Sequence, residues 1–148
     1  MPNLFPTITI NTETEPGEIE AQNKNVLFGK SWHYDFEKGD FTFSPVNGKV
    51  AESNTFDAWI NWCKKALITE RYRFLAYGRN YGQEFEKLIS QNLTRPGNES
   101  EIRRLVTECL MADPRTASVD NFTFSWQEDK CFFSCVATNI LEQSGRCV

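Results

Sequence analysis

His33 is the only histidine among the 148 residues, so an imidazole-activated serine or cysteine nucleophile would have to rely on it. It stands between Trp32 and Tyr34 in an alternating apolar run, with no nucleophile motif beside it, and reads as a structural or exposed side chain. Gly78 and Gly82 do not have the spacing of a phosphate-cradling loop. The five cysteines are odd in number and contain no Cys-x-x-Cys. Cys131 and Cys135 would share one strand face about 13 Å apart, at about 3.3 Å per residue, too far to share a metal ion. Cys63 and Cys109 fall on apolar helix faces. Core thiols are the reading that fits, and no metal or cofactor site is expected.

Carboxylate catalysis is the remaining enzymatic route. Glycoside hydrolysis needs one carboxyl with a raised pKa and a second about 5–9.5 Å away. Glu70 follows the apolar Ala66-Leu67-Ile68 and is the candidate acid for a lysozyme-like peptidoglycan hydrolase. Arg71 and Arg73 stand close to it and favour its ionised form, which makes a salt-bridged structural carboxylate the stronger reading.

The most constrained stretch is the corner Asp113-Pro114-Arg115. Before it, Ile102, Leu105, Val106, Cys109 and Leu110 recur at three- and four-residue spacing and predict an amphipathic helix. Asn98 or Ser100 is the expected cap, with Glu101 completing a capping box for Asn98. Asp113-Pro114 ends the helix, because proline lacks an N–H and biases its predecessor away from helical angles. After it, Phe122, Phe124 and Trp126 alternate with polar residues in a strand over 119–126. The corner therefore fixes one acid and one base beside a rigid ring, either as a docking elbow or as an internal brace.

The elements around that corner are legible to different degrees. Residues 1–30 read as an extended arm. Trp32, Tyr34 and Phe36 alternate in a strand, and Asn47-Gly48 supplies a type I′ signal for a hairpin over 40–52. Asn54 or Thr55 starts a helix burying Phe56, Trp59, Ile60, Cys63 and Leu67. Residues 71–77 alternate as a further strand, a short helix is expected near 83–92, and 94–97 reads as a breaker. Lys130 to Thr138 forms a last strand with two semi-apolar faces, either central in its sheet or covered by another chain. The fold class is α+β, a single small domain with a mainly antiparallel sheet and about three helices packed on it. Its limits are 31–139, with a tail at 140–148.

Net charge is −4 and no long basic run exists, which argues against nucleic acid as a partner. Residues 62–82 are basic, with Lys64, Lys65, Arg71, Arg73 and Arg79 against Glu70 alone, while the first thirty residues carry four Glu against two Lys. That asymmetry suits polar protein contacts. No segment approaches the ~20 apolar residues of a membrane span, and no basic start leads into an apolar run as in a signal peptide.

The order Trp32-x-Tyr34-Asp35-Phe36-Glu37, then Asn47-Gly48-Lys49, Thr69-Glu70-Arg71-Tyr72 and Tyr81-Gly82, resembles the prophage-type baseplate proteins of contractile tails. These are the sheath initiators, a baseplate-wedge family once labelled lysozyme-like. The family's Glu-Pro-Arg signature lies between an amphipathic helix and a strand, where this chain has Asp113-Pro114-Arg115, one methylene shorter in the acid. The resemblance covers about 31–139. It implies a structural protein of the phage tail baseplate, made in the host cytoplasm and incorporated in the virion. A ring of copies would dock on wedge proteins and template the first ring of tail sheath protein, near the tail tube or hub. The resemblance implies wedge contacts at Asp113, Pro114 and Arg115, and, because sheath subunits interlock by strand exchange, contacts at Phe132, Val136 and Thr138. Glu70 and Arg71, in the matching 69–72 stretch, are expected protein contacts as well.

Overall fold

A computed structural model describes residues 26–148. The expected arm therefore lies outside the described residues up to 25. Of the remainder, Phe28 packs against the core and Lys30 pairs with Glu52 at 3.8 Å.

The first layer of structure is a small antiparallel ribbon. The strand expected from Trp32 to Phe36 is split into β1 (Ser31–Trp32) and β2 (Tyr34–Asp35). β1 pairs with β4 (Glu52–Ser53), and β2 with β3 (Asp40–Phe41). His33 joins the two pairings through its backbone, donating to Ala51 and accepting from Thr42. The hairpin expected over 40–52 closes at a Phe43–Val50 bridge. Its turn is not type I′: Gly48 has φ +67°, but Asn47 does not enter the left-handed region that such a turn requires at both central residues.

α1 (Thr55–Ile68) begins where expected, with the Asn54 side chain accepting from the Asp57 N–H at 2.7 Å. Trp59, Cys63 and Ala66 are buried along its inner face. The strand expected at 71–77 does not form. Tyr72 lies at φ +68° and the Arg71 side chain turns inward, so the segment becomes the start of a loop closed by a Glu70–Gln83 bridge. α2 (Phe85–Ser90) buries Leu88 and leaves Ile89 exposed.

α3 (Arg95–Met111) starts several residues earlier than Asn98 or Ser100, and its first turn is the stretch read as a breaker. Thr94 is the cap, its side chain accepting from the Gly97 N–H, and Pro96 sits in the first turn, where a missing N–H costs nothing. Asn98 instead donates from its side chain to the Leu93 carbonyl.

The remaining chain is a three-stranded antiparallel sheet in the order β5 (Thr116–Gln127), β6 (Lys130–Asn139), β7 (Ser144–Cys147). β7 lies within the residues set apart as a tail. β6 is the central strand, which accounts for its two semi-apolar faces. α1 and α3 pack together against the sheet, and the core joins Trp59, Cys63, Val106, Leu110, Cys135 and Cys147, all fully buried. Gly145 lets α1 approach β7, because a Cβ there would stand 2.1 Å from Ile60 Cδ1. The α+β expectation of about three helices on mainly antiparallel strands is met.

Candidate functional site

The corner after α3 is held by its own side chains. Asp113 is 5% exposed and receives Arg115 Nε at 3.0 Å on both carboxylate oxygens, with Arg115 Nη2 closing on Oδ2. The Arg115 backbone N–H donates to Asp113 Oδ1 at 2.9 Å, and the Thr116 N–H donates to the Asp113 carbonyl. Pro114 between them removes the competing N–H and restricts the backbone. The Arg115 guanidinium also lies over the Trp62 ring, 5.8 Å from its centroid. One residue on, Thr116 Oγ1 accepts the buried Trp59 indole N–H at 3.1 Å. Acid, proline and base are thus brought together, with the two charges turned on each other.

The partner of this corner in the fold is the β6–β7 turn, which the sequence reading missed. The Arg115 carbonyl accepts from the Ile140 N–H. Asn139, fully buried, accepts from the N–H groups of Leu141 and Gln143 at 2.9 Å and donates to Gln143 Oε1 at 3.0 Å. An Asn at a strand end with a Gln four residues on is the local signal, since such amides organise turns by bonding nearby backbone.

Glu70 and Arg71 separate. Glu70 pairs with Arg73 at 3.3 Å, while Arg71 reaches across the fold to Glu108 on α3 at 2.6 Å and to Glu84 at 3.4 Å. Its Nε donates to the Gly82 carbonyl at 3.1 Å. Burial works against the Arg71 charge, but the Glu108 hydrogen bond overcomes it and raises its pKa; the same bond holds the Glu108 carboxyl below its ordinary range. The Glu86 carboxyl is raised by hydrogen-bond contact with Glu70.

Phe132, Val136 and Thr138 line the face of β6 turned away from the helices. Phe132 is about half exposed, whereas Val136 sits between Asp120 and Arg146 in the sheet, and Thr138 Oγ1 bonds Ser144 Oγ at 3.0 Å. β6 has backbone partners on both sides over 135–138, so a strand supplied by another chain cannot pair with that half while β7 is in place. Among the described residues, the sheet's open edges are the outer sides of β5 and β7 and the 130–134 stretch of β6 that extends past β7.

His33 is exposed, and its Nδ1 lies 2.9 Å from Thr42 Oγ1. Cys63, Cys109, Cys135 and Cys147 are all fully buried and free of disulfides. Burial pushes the Cys109 thiol up to about 11. Among the described residues no cluster of His, Cys, Asp and Glu has the arrangement of a metal site, and no helix is long and apolar enough to cross a membrane.

Residues 30–142 match the family model of the contractile injection system sheath initiator. A phage-like element PBSX protein, XkdS of Bacillus subtilis (strain 168), is 28% identical over 130 residues, covering 87% of each chain. The matched span contains the ribbon, the three helices of the described residues, the 113–115 corner and the β5–β6 pair; the chain belongs to the contractile injection system sheath initiator family.

Proposed function

We propose that this chain is a non-enzymatic component of a contractile tail baseplate that docks on wedge proteins and templates the first ring of sheath subunits. Family membership supports the structural role and a tail sheath partner. The observation that carries the finer reading is the β5–β6–β7 sheet, whose outer strands each keep one unpaired edge among the described residues. A sheath strand added at an edge gains backbone hydrogen bonds, with alternate side chains supplying specificity. β7 is short, and β5 carries register shifts at 116/118 and 120/123, features that protect an edge from indiscriminate pairing.

Docking on wedge proteins is assigned to the surface around the 113–115 corner. The internal Asp113–Arg115 pairing supports a positioning role, in which the brace fixes the relative places of α3, β5 and the β6–β7 turn. Phe132 supplies an exposed apolar anchor on the same sheet. The protein is assembled into the baseplate from the host cytoplasm, close to the tail tube or hub.

Deleting the gene and imaging the particles tests this reading. Tubes and baseplates lacking sheath are expected, and normally sheathed tails would sink it. Peptidoglycan clearing by the purified protein, lost in Glu70→Gln, would replace the structural reading with the hydrolase one.

A further inference from the structure

The loop between α1 and α2 is built to hold apolar side chains in solvent. Its two ends are clamped by the Arg71 N–H to Gln83 carbonyl bond at 2.8 Å and the Gln83 N–H to Thr69 carbonyl bond at 2.9 Å. Arg71 adds its side-chain bonds to Gly82, Glu84 and Glu108. Gly82, at φ +98°, lies so close to the Thr69 carbonyl that a Cβ would approach it to 2.7 Å. Between these clamps Leu75 is fully exposed, and Tyr72, Phe74 and Tyr77 are each half exposed or more. The rings are ordered against one another rather than loose. Phe74 meets Tyr77 edge-on at 6.1 Å, Tyr77 packs on Tyr81 at 4.6 Å, and Tyr81 meets Trp62 at 5.6 Å. Rigid exposed aromatics with their entropy already spent have the character of an interface anchor. The loop from 71 to 82 contains Arg71, Arg73 and Arg79 and no acidic residue.

The chain also displays a receptor of opposite character. An open groove of about 620 Å³ runs between α2, the start of α3 and the β5–β6 hairpin. Leu88, Ile89, Leu93, Ile102, Trp126 and Phe133 line it, and Glu128 and Asp129 stand at its hairpin end. Its one cation, Arg95, is engaged: the guanidinium stacks on Trp126 at 5.3 Å and donates to the Glu128 carbonyl. Leu75 is fully exposed, so the tip does not occupy the groove of its own chain.

We propose that the 72–77 tip of one copy seats in the α2–α3–hairpin groove of a second copy, a head-to-tail contact between copies of this chain. Leu75 and its neighbouring rings enter the apolar lining, while Arg79, and Arg73 on exchanging its own Glu70 for the partner copy's acids, face Glu128 and Asp129. The two surfaces differ, so the contact is heterologous and propagates into a ring or an open row rather than stopping at a dimer. One such contact is weak, and repetition around a common axis raises its effective strength. The proposal goes beyond sheath templating and does not depend on it, since it concerns the isolated full chain.

Sedimentation of the full chain over rising concentration tests it, with circular dichroism confirming that each variant is folded. Wild type associates progressively, and added salt weakens the association. Leu75→Ser in the tip and Ile89→Ser in the groove each weaken it at least tenfold, the loss of an anchor worth about 1.4 kcal/mol or more. An equimolar mixture of these two variants forms dimers and nothing larger, because one supplies the intact groove and the other the intact tip. A wild type that stays monomeric at every concentration overturns the proposal. So does association that survives both substitutions, or a mixture of the two variants that remains monomeric.

Discussion

Arg71 and Arg115 are both drawn out of water by carboxylates, with side chains 10% and 17% exposed, and they serve opposite ends. Arg115 pairs with an acid two residues away, so its energy is spent inside one corner and the charges cancel below the surface. Arg71 binds Glu84 and Glu108 thirteen and thirty-seven residues away, tying a loop to two helices. The first pairing closes a corner that reads from sequence as either a docking elbow or an internal brace. The second lifts out the aromatic loop that reads from sequence as a strand. The same chemistry makes a brace in one place and a pedestal in the other, and the spacing of the partners decides which.

The largest effect should follow from breaking the brace. Asp113→Ala leaves the Arg115 guanidinium without its partner in a buried corner, at a cost of roughly 3–5 kcal/mol. Urea unfolding reads this directly, and a loss below about 1 kcal/mol would mean that the pair is not the corner's support. Arg71→Ala comes next, at about 2 kcal/mol for its charge-assisted hydrogen bonds, with faster hydrogen exchange confined to 70–84. Loss of the whole fold in that variant would erase the distinction between brace and pedestal.

Arg71 also sets an acid dependence. A carboxyl whose pKa is depressed by folding adds stability above its unfolded pKa, near the ordinary 4.5 for Glu108, and loses it as the pH falls through the folded value. Wild-type stability should therefore decline below about pH 4.5 more steeply than that of Arg71→Met. The difference is small, because the Glu108 side chain is 47% exposed and solvent screens it. Equal acid slopes in the two proteins would remove Glu108 as the titrating partner.

Gly82→Ala should cost at least about 1 kcal/mol, since alanine resists φ +98° and its Cβ would press on the Thr69 carbonyl. Leu75→Ser, at the exposed tip, should change stability by no more than about 0.5 kcal/mol. A larger loss would show that the tip packs on its own chain rather than standing free of it.

Several features were legible because their causes are local. Asn54 capping α1, the apolar stripe from Ile102 to Leu110, and the alternation of Phe122, Phe124 and Trp126 all depend on neighbours a few residues away. The start of α3 was misplaced because Thr94 and Pro96 read equally as a loop or as a first turn. The 71–77 segment alternates like a strand, yet its alternation has no sheet to serve. Arg71 is pulled inward by Glu108 on a helix not yet made when that segment is read, and Tyr72 takes a left-handed angle.

The sequence by itself determined the α+β class, the helix faces, the two strands that became β5 and β6, and the motif order that resembles the family. Periodicity, capping and chain order all reside in residues close along the chain. Only the tertiary structure decided which way the charges of the 113–115 corner face, that β6 is flanked on both sides over 135–138, and that the last residues return as β7. Each of those depends on partners brought from far along the chain, on burial, and on which backbone edges remain unpaired.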